Sequence, residues 1–264
     1  MIIISMHMLS HRHFKWLTCL LILSVFATSC KKDDESEPEA QSLNLSFYPK
    51  YEGQDLQLFK TYNNIHNCSF EFRDLKFYIA HISLHLSNGD SLELSEIELM
   101  DIRNGKQSLT YDMPAGQFVA ISFGLGVPQH LNGTDNPDFL TSVYSLDHPL
   151  SGNNGTYWTW ATGYRFFMTE GRFDTVPDVE APTRNFSYHT GPDVLYRHVG
   201  PFAADISAAG RSQLNFALDM ERFWATETDT VNLRLEREFH GTHSIDDLGH
   251  RLANNSAATF RLMP

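Results

Sequence analysis

The chain has 264 residues, with 20 Lys plus Arg against 32 Asp plus Glu, 42% hydrophobic residues and 3 Cys. That apolar share suffices for a packed core, while three cysteines exclude a disulfide-built scaffold and a four-thiolate zinc site. Without residues 1–29, which carry Arg12 and Lys15, the net charge is −14. Such a surface repels phosphate backbones, so no nucleic-acid partner is expected.

Residues 1–29 read as an export signal. His11-Arg12-His13 and Lys15 precede an apolar run from Trp16 to Ala27, and small residues lead to Cys30. The run falls short of the roughly 20 residues that span a bilayer, which fits a signal peptide better than a membrane span. Phe26-Ala27-Thr28-Ser29-Cys30 resembles a bacterial lipobox, with Ala27 replacing the usual large aliphatic residue. In that reading Cys30 is lipidated and inserts its lipid into a bilayer; ordinary cleavage near Ser29 is the alternative. Residues 30–42 then form an acidic tether, since Lys31 to Ala40 includes no large apolar residue to bury. The run Lys32-Asp33-Asp34-Glu35 resembles the export tag of surface lipoproteins. The expected location is therefore the outer membrane, facing either the cell surface or the periplasm.

Residues 43–264 are expected to form one all-β domain, an antiparallel β-sandwich with long functional loops. Leu43, Leu45 and Phe47 alternate with polar neighbours, as do Ile121, Phe123 and Leu125, then Leu214, Phe216 and Leu218, then Phe260 and Leu262. Between Phe70 and Leu86 the apolar parity changes twice. Phe70 and Phe72 are even, Leu75, Phe77 and Ile79 odd, and Ile82, Leu84 and Leu86 even again. An unbroken strand cannot do this without turning its core face to solvent, so bulges or a break are expected near Arg73-Asp74 and Ala80-His81. Turn sequences such as Ser87-Asn88-Gly89-Asp90 and Asn153-Asn154-Gly155 separate the runs. Two loop-rich stretches, 128–155 and 174–201, are long enough to suggest function.

Ten His follow residue 29. His81 and His85 oppose the apolar parity around them and are expected on a solvated strand face. At i, i+4 on a strand they lie about 13 Å apart, too far for one metal ion. His66, His130 and His250 sit among polar loop residues. His148, His189, His198, His240 and His243 are better placed, near the aromatic stretch Tyr157 to Phe167 or in Gly-containing loops. No pair has close metal-binding spacing, so any site must be assembled across loops. Trp158 and Trp160 share a strand face, which also suits two indoles filling a core. No GxSxG, P-loop or dinucleotide fingerprint occurs, and Cys68 lacks a catalytic setting; the chain is not expected to be an enzyme.

Five short words occur in order: Leu75-Lys76-Phe77-Tyr78-Ile79, Phe123-Gly124-Leu125-Gly126-Val127-Pro128, Trp158-Thr159-Trp160 with Gly163-Tyr164, Glu170-Gly171, and Tyr188-His189-Thr190-Gly191. Together they resemble the MbnP family of exported copper-binding proteins associated with methanobactin systems. The resemblance implies one copper held at a mononuclear site by His side chains with an oxidised Trp, a kynurenine. It also implies a di-haem peroxidase of the MbnH type as maturation partner. Carried over residue by residue, it points to His189 first, then His243 and His148 as metal ligands, with Trp158 or Trp160 as the candidate oxidised Trp. An indole nitrogen is a poor ligand, whereas the arylamine and ketone made by ring opening can coordinate copper. Two other readings are a metal-free surface module binding glycan or protein through exposed aromatics, and a metal-dependent hydrolase.

Overall fold

In a computed structural model of the chain, residues 41–133, 144–158, 163–241 and 247–264 are described. Residues 40–264 form one compact unit. In chain order its strands are β1 (Ser42–Tyr51), β2 (Gln54–Asp55), β3 (Tyr62–Asn63), β4 (Ser69–His85), β5 (Ser91–Asp101), β6 (Ser108–Asp112), β7 (Phe118–Leu125), β8 (Tyr157–Trp158) and β9 (Gly163–Tyr164). They continue as β10 (Phe167–Phe173), β11 (Arg184–Thr190), β12 (Arg197–Ile206), β13 (Gln213–Asp219), β14 (Glu238–His240) and β15 (Phe260–Leu262). Two helices, α1 (Glu221–Trp224) and α2 (Asp247–Ala258), fall in the last quarter.

The fold is an all-β sandwich. One sheet runs β15-β13-β1-β2 with β6 also on β1; the larger runs β12-β7-β4-β10-β11-β14 with β3 and β5 also on β4. Most pairings are antiparallel, but β1 with β13 and β11 with β14 are parallel, so both sheets are mixed. Strands β8 and β9 make a separate hairpin.

The main core lies between the sheets. Phe47 on β1 meets Phe77, Phe123, Phe216 and Phe260 at ring separations of 6.1, 6.0, 5.2 and 6.3 Å. Burying each such ring contributes about 1.5–3 kcal/mol. The parity switches in β4 are both resolved as bulges within one continuous strand. Asp74 pairs with Glu170 and Phe72 with Gly171, leaving Arg73 as the extra residue. Ala80 pairs with Gly124 and Ser83 with Ser122, so the second extra residue falls at His81-Ile82, where His81 has φ of 47°. Each bulge returns the following apolar residues to the core face, as the pleat requires.

Strand β4 is covered on its outer face too. Tyr78 and Ala80 point away from the main core into a second cluster with Ile97, Leu99, Val127, Leu150, Tyr164 and Phe166. The Tyr78 hydroxyl meets the Pro149 carbonyl at 2.9 Å and Thr156 Oγ1 at 2.6 Å, and the Tyr164 hydroxyl donates to the Leu150 carbonyl at 2.9 Å. The loop expected between residues 128 and 155 thus lies, in its described parts, on the outer face of the larger sheet. This second cluster supports the β8–β9 hairpin, and the hairpin brings Trp158 to the neighbourhood of His189.

Candidate functional site

The site forms on the outer face of the larger sheet, where β10, β11 and β14 lie side by side. Side chains on a strand alternate between faces. Phe167 on β10 and Tyr188 on β11 join the main core, so Met168 and His189 face outward. Register places Met168 opposite His189, and His189 opposite His240. Cross-strand partners share a face within about 5 Å at Cβ, so the two imidazoles come together directly. Their Nδ1 atoms lie 3.0 Å apart and their ring centroids 4.7 Å apart.

Glu170 fixes the tautomer of His189. His189 Nε2 lies 2.9 Å from Glu170 Oε1 and 3.1 Å from Ser187 Oγ. An ionised carboxylate can only accept, so Nε2 bears the hydrogen and Nδ1 presents its lone pair toward His240. Burial pushes the His189 pKa below the usual histidine range, although the Glu170 hydrogen bond opposes it. Burial lowers the His240 pKa as well. Glu170 is held below the usual carboxylate range chiefly by the hydrogen bond from His189. The combination describes a neutral His189 donating to an ionised Glu170.

Trp158 completes one wall. Its ring centroid lies 6.3 Å from that of His189, and the Arg165 guanidinium lies 5.7 Å from the Trp158 ring. Arg165 Nη1 donates to the Gly155 carbonyl at 2.8 Å and approaches Met168 Sδ at 3.7 Å. The indole lies against Gly191, where a Cβ would come within 2.2 Å of the ring and 2.6 Å of the Tyr164 carbonyl oxygen. The word Tyr188-His189-Thr190-Gly191 therefore has a physical reading. Tyr188 anchors the strand in the core, His189 faces the site, and Gly191 makes room for Trp158.

The sequence-derived candidates distribute unevenly. His189 is at the centre, 4% exposed, with buried Trp158 beside it. The ring of His148 stacks on Tyr144 at 4.2 Å, and its Nδ1 accepts the Leu150 amide at 3.0 Å. Among the described residues, no hydrogen bond or ring contact joins it to His189 or His240. His243 and Trp160 lie outside the described residues, as does Cys30. His240, which stood outside the three ligand candidates drawn from the sequence, is the residue that register brings against His189. Its signal was faint, a polar word after a loop, because a three-residue strand has almost no periodicity to detect. His198 is exposed on β12 beside Tyr196, and His81 pairs with Glu93 at 2.9 Å on the surface. Cys68 is a fully buried thiol facing Arg234 Nε at 3.2 Å. Among the described residues, no three His, Cys, Asp or Glu side chains converge to hold a metal ion.

Fold and site together define an all-β sandwich domain with a paired-imidazole centre beside an indole on the outer face of its larger sheet. The chain belongs to the MbnP family, whose family model matches residues 40–247. Among solved structures, the chain is similar to MbnP from Methylosinus trichosporium at 12% identity and a TM-score of 0.48, covering 73% of this chain and 81% of that one. No curated protein matches the chain.

Proposed function

We propose that this protein is an exported, lipid-anchored copper-binding protein, a binder rather than an enzyme, acting in copper acquisition or handling outside the inner membrane. The observation that carries the reading is the pair of Nδ1 atoms of His189 and His240 at 3.0 Å. Two imidazole nitrogens at that separation either share a proton or serve one ion between them. Because Glu170 keeps the hydrogen of His189 on Nε2, loss of the His240 Nδ1 hydrogen leaves two lone pairs on one spot. Imidazole nitrogen suits copper, and a carboxylate behind the ring raises its basicity as a ligand. His189 and His240 would hold the metal, with His243 three residues further along the chain as a further candidate ligand. Trp158, with its ring centroid 6.3 Å from that of His189, is the described candidate for oxidation to a kynurenine, and a di-haem peroxidase of the MbnH type is the proposed maturation partner. Cys30 remains the proposed lipid attachment point, at the outer membrane.

The test is metal stoichiometry. The wild-type chain should bind one copper, and His189→Ala and His240→Ala should each abolish it while the fold persists by circular dichroism. Full stoichiometric binding by His189→Ala would remove the assignment. Mass spectrometry of the peptide holding Trp158 and Trp160, taken from the native host, should find one oxygen gained and one carbon lost at one Trp. An unaltered peptide would leave the imidazole pair without the kynurenine.

A metal-free binding module is the second reading. It draws on Phe59, an aromatic ring 53% exposed with the Arg73 and Arg103 guanidinium groups each 5.7 Å from its centroid. Tryptophan quenching by sugars without any response to copper would favour it.

A further inference from the structure

A second pair of imidazoles, His81 and His130, meets over the carboxylates of β5. Among the described residues, no hydrogen bond or ring contact joins either of them to His189 or His240. Ala80 pairs with Ile97 and Ile82 with Ser95, which leaves His81 across from Glu96. At the bulge His81 has φ of 47°, a left-handed conformation that a β-carbon opposes, and bulges re-aim the side chains they carry. His81 Nδ1 lies 2.9 Å from Glu93 Oε2. His130 belongs to the 3₁₀ turn Gln129–Leu131 that follows β7, and its Nε2 lies 2.7 Å from Glu96 Oε1. Glu96 thus stands across from one imidazole and holds the other. The two ring centroids are 6.1 Å apart and the ring planes are tilted by 31°.

We infer that His81 and His130 form a separate, solvent-open site for a borderline divalent ion such as Zn(II). An ionised carboxylate only accepts, so Glu93 keeps the hydrogen of His81 on Nδ1 and Glu96 keeps that of His130 on Nε2. The nitrogens left with lone pairs are His81 Nε2 and His130 Nδ1. Each ring then has a carboxylate behind it, the arrangement that orients a histidine ligand and raises its basicity. Two Zn–N bonds of about 2.0–2.1 Å and two ring radii of about 1.2 Å span roughly 6.4 Å in line, so rings 6.1 Å apart can flank one ion. No three of the four side chains converge as they stand, so the ion takes two nitrogens from the chain and completes its shell with water. Imidazole selects zinc and its neighbours over magnesium and calcium, and the charges of Glu93 and Glu96 offset those of a divalent ion. The side chains of His81 and His130 are 40% and 59% exposed, so an ion enters without any opening of the fold. With two protein donors the site fills only when metal is in excess, apart from the single copper proposed at His189 and His240.

The experiment is equilibrium dialysis of the full-length chain against Zn(II), carried out with His189→Ala so that the first imidazole pair does not contribute. In that background His130→Ala should weaken zinc binding at least about tenfold, since loss of even a supporting group commonly costs a metal site that much. His81→Asn should do the same while keeping a residue that accepts the left-handed backbone. Crystals of the wild-type chain soaked in Zn(II) should show an anomalous peak at the zinc edge between the two rings, a result read without any variant. Equal zinc affinity with and without His130 overturns the inference. So does zinc found in the wild type at His189 alone, or no zinc bound at all; His81 and His130 would then be two independent surface hydrogen bonds to glutamate.

Discussion

Gly191 illustrates how single atoms decide this site. What matters there is space rather than backbone angle. A methyl group would enter the Trp158 ring at 2.2 Å and the Tyr164 carbonyl oxygen at 2.6 Å, and backbone cannot yield cheaply. Gly191→Ala should therefore displace the indole from His189 and destabilise the protein by about 1–3 kcal/mol. Thermal unfolding together with near-ultraviolet circular dichroism would check it; an unchanged aromatic spectrum would contradict this packing. Sequence reading picked out His189 and Gly191 within one word, but it could not say that the glycine serves Trp158, more than thirty positions earlier. It did not bring His240 to His189, because what stands opposite a residue is set by strand register, and nothing local to Glu238-Phe239-His240 carries that information.

At the scale of elements, β4 and α2 make a contrast. The two parity switches in β4 were visible in the sequence because a pleated strand exposes alternate residues, and a change of parity requires either an inserted residue or a break, of which the structure has the first at both places. Helix α2 was hidden. Its buried face includes Asn255 and Ser256 beside Leu248, Leu252 and Ala253, which dilutes the apolar period. Asn255 earns burial through hydrogen bonds: its side chain donates to the Phe223 carbonyl at 3.1 Å and accepts from Thr226 Oγ1 at 3.2 Å.

Helix α2 also carries Arg251, which ties the segment before β14. Arg251 Nη2 meets Glu236 Oε1 at 2.5 Å, Arg251 Nε meets Asp247 Oδ2 at 2.7 Å, and Arg251 donates to the Thr230 carbonyl. The hydrogen bond from Arg251 is the main reason the Glu236 carboxyl stays below the usual carboxylate range. Since the folded value lies below the unfolded one, this pair stabilises fully above the unfolded value of about 4.3 and loses its effect as pH falls through the folded value. Glu236→Gln should cost about 2 kcal/mol at neutral pH and flatten the acid limb of a stability profile. Parallel acid limbs for wild type and variant would reject the role assigned to this pair.

For the whole molecule, the inner and outer faces of the larger sheet do separate work. Trp224 from α1 is buried against Phe70 at 4.9 Å, Phe186 at 5.7 Å, Phe72 at 5.8 Å and Tyr188 at 6.1 Å, all on the inner side. Trp224→Ala should cost about 3–5 kcal/mol. The milder Trp224→Phe should lower the melting temperature yet leave copper stoichiometry intact, because the proposed ligands face the other way. Loss of copper at full fold stability would show the two faces to be coupled.

Alternating apolar residues along each strand were enough to determine an all-β sandwich and to locate two interruptions of the pleat in β4, because side-chain period is a local property of extended chain. The meeting of His189 with His240 and Trp158 was decided by tertiary structure alone. It requires β14 to lie parallel to β11 across a separation of 51 residues and the β8–β9 hairpin to rest on an outer cluster. Local periodicity tells which way a side chain points from its own strand. Only the order and register of strands tell what it meets there.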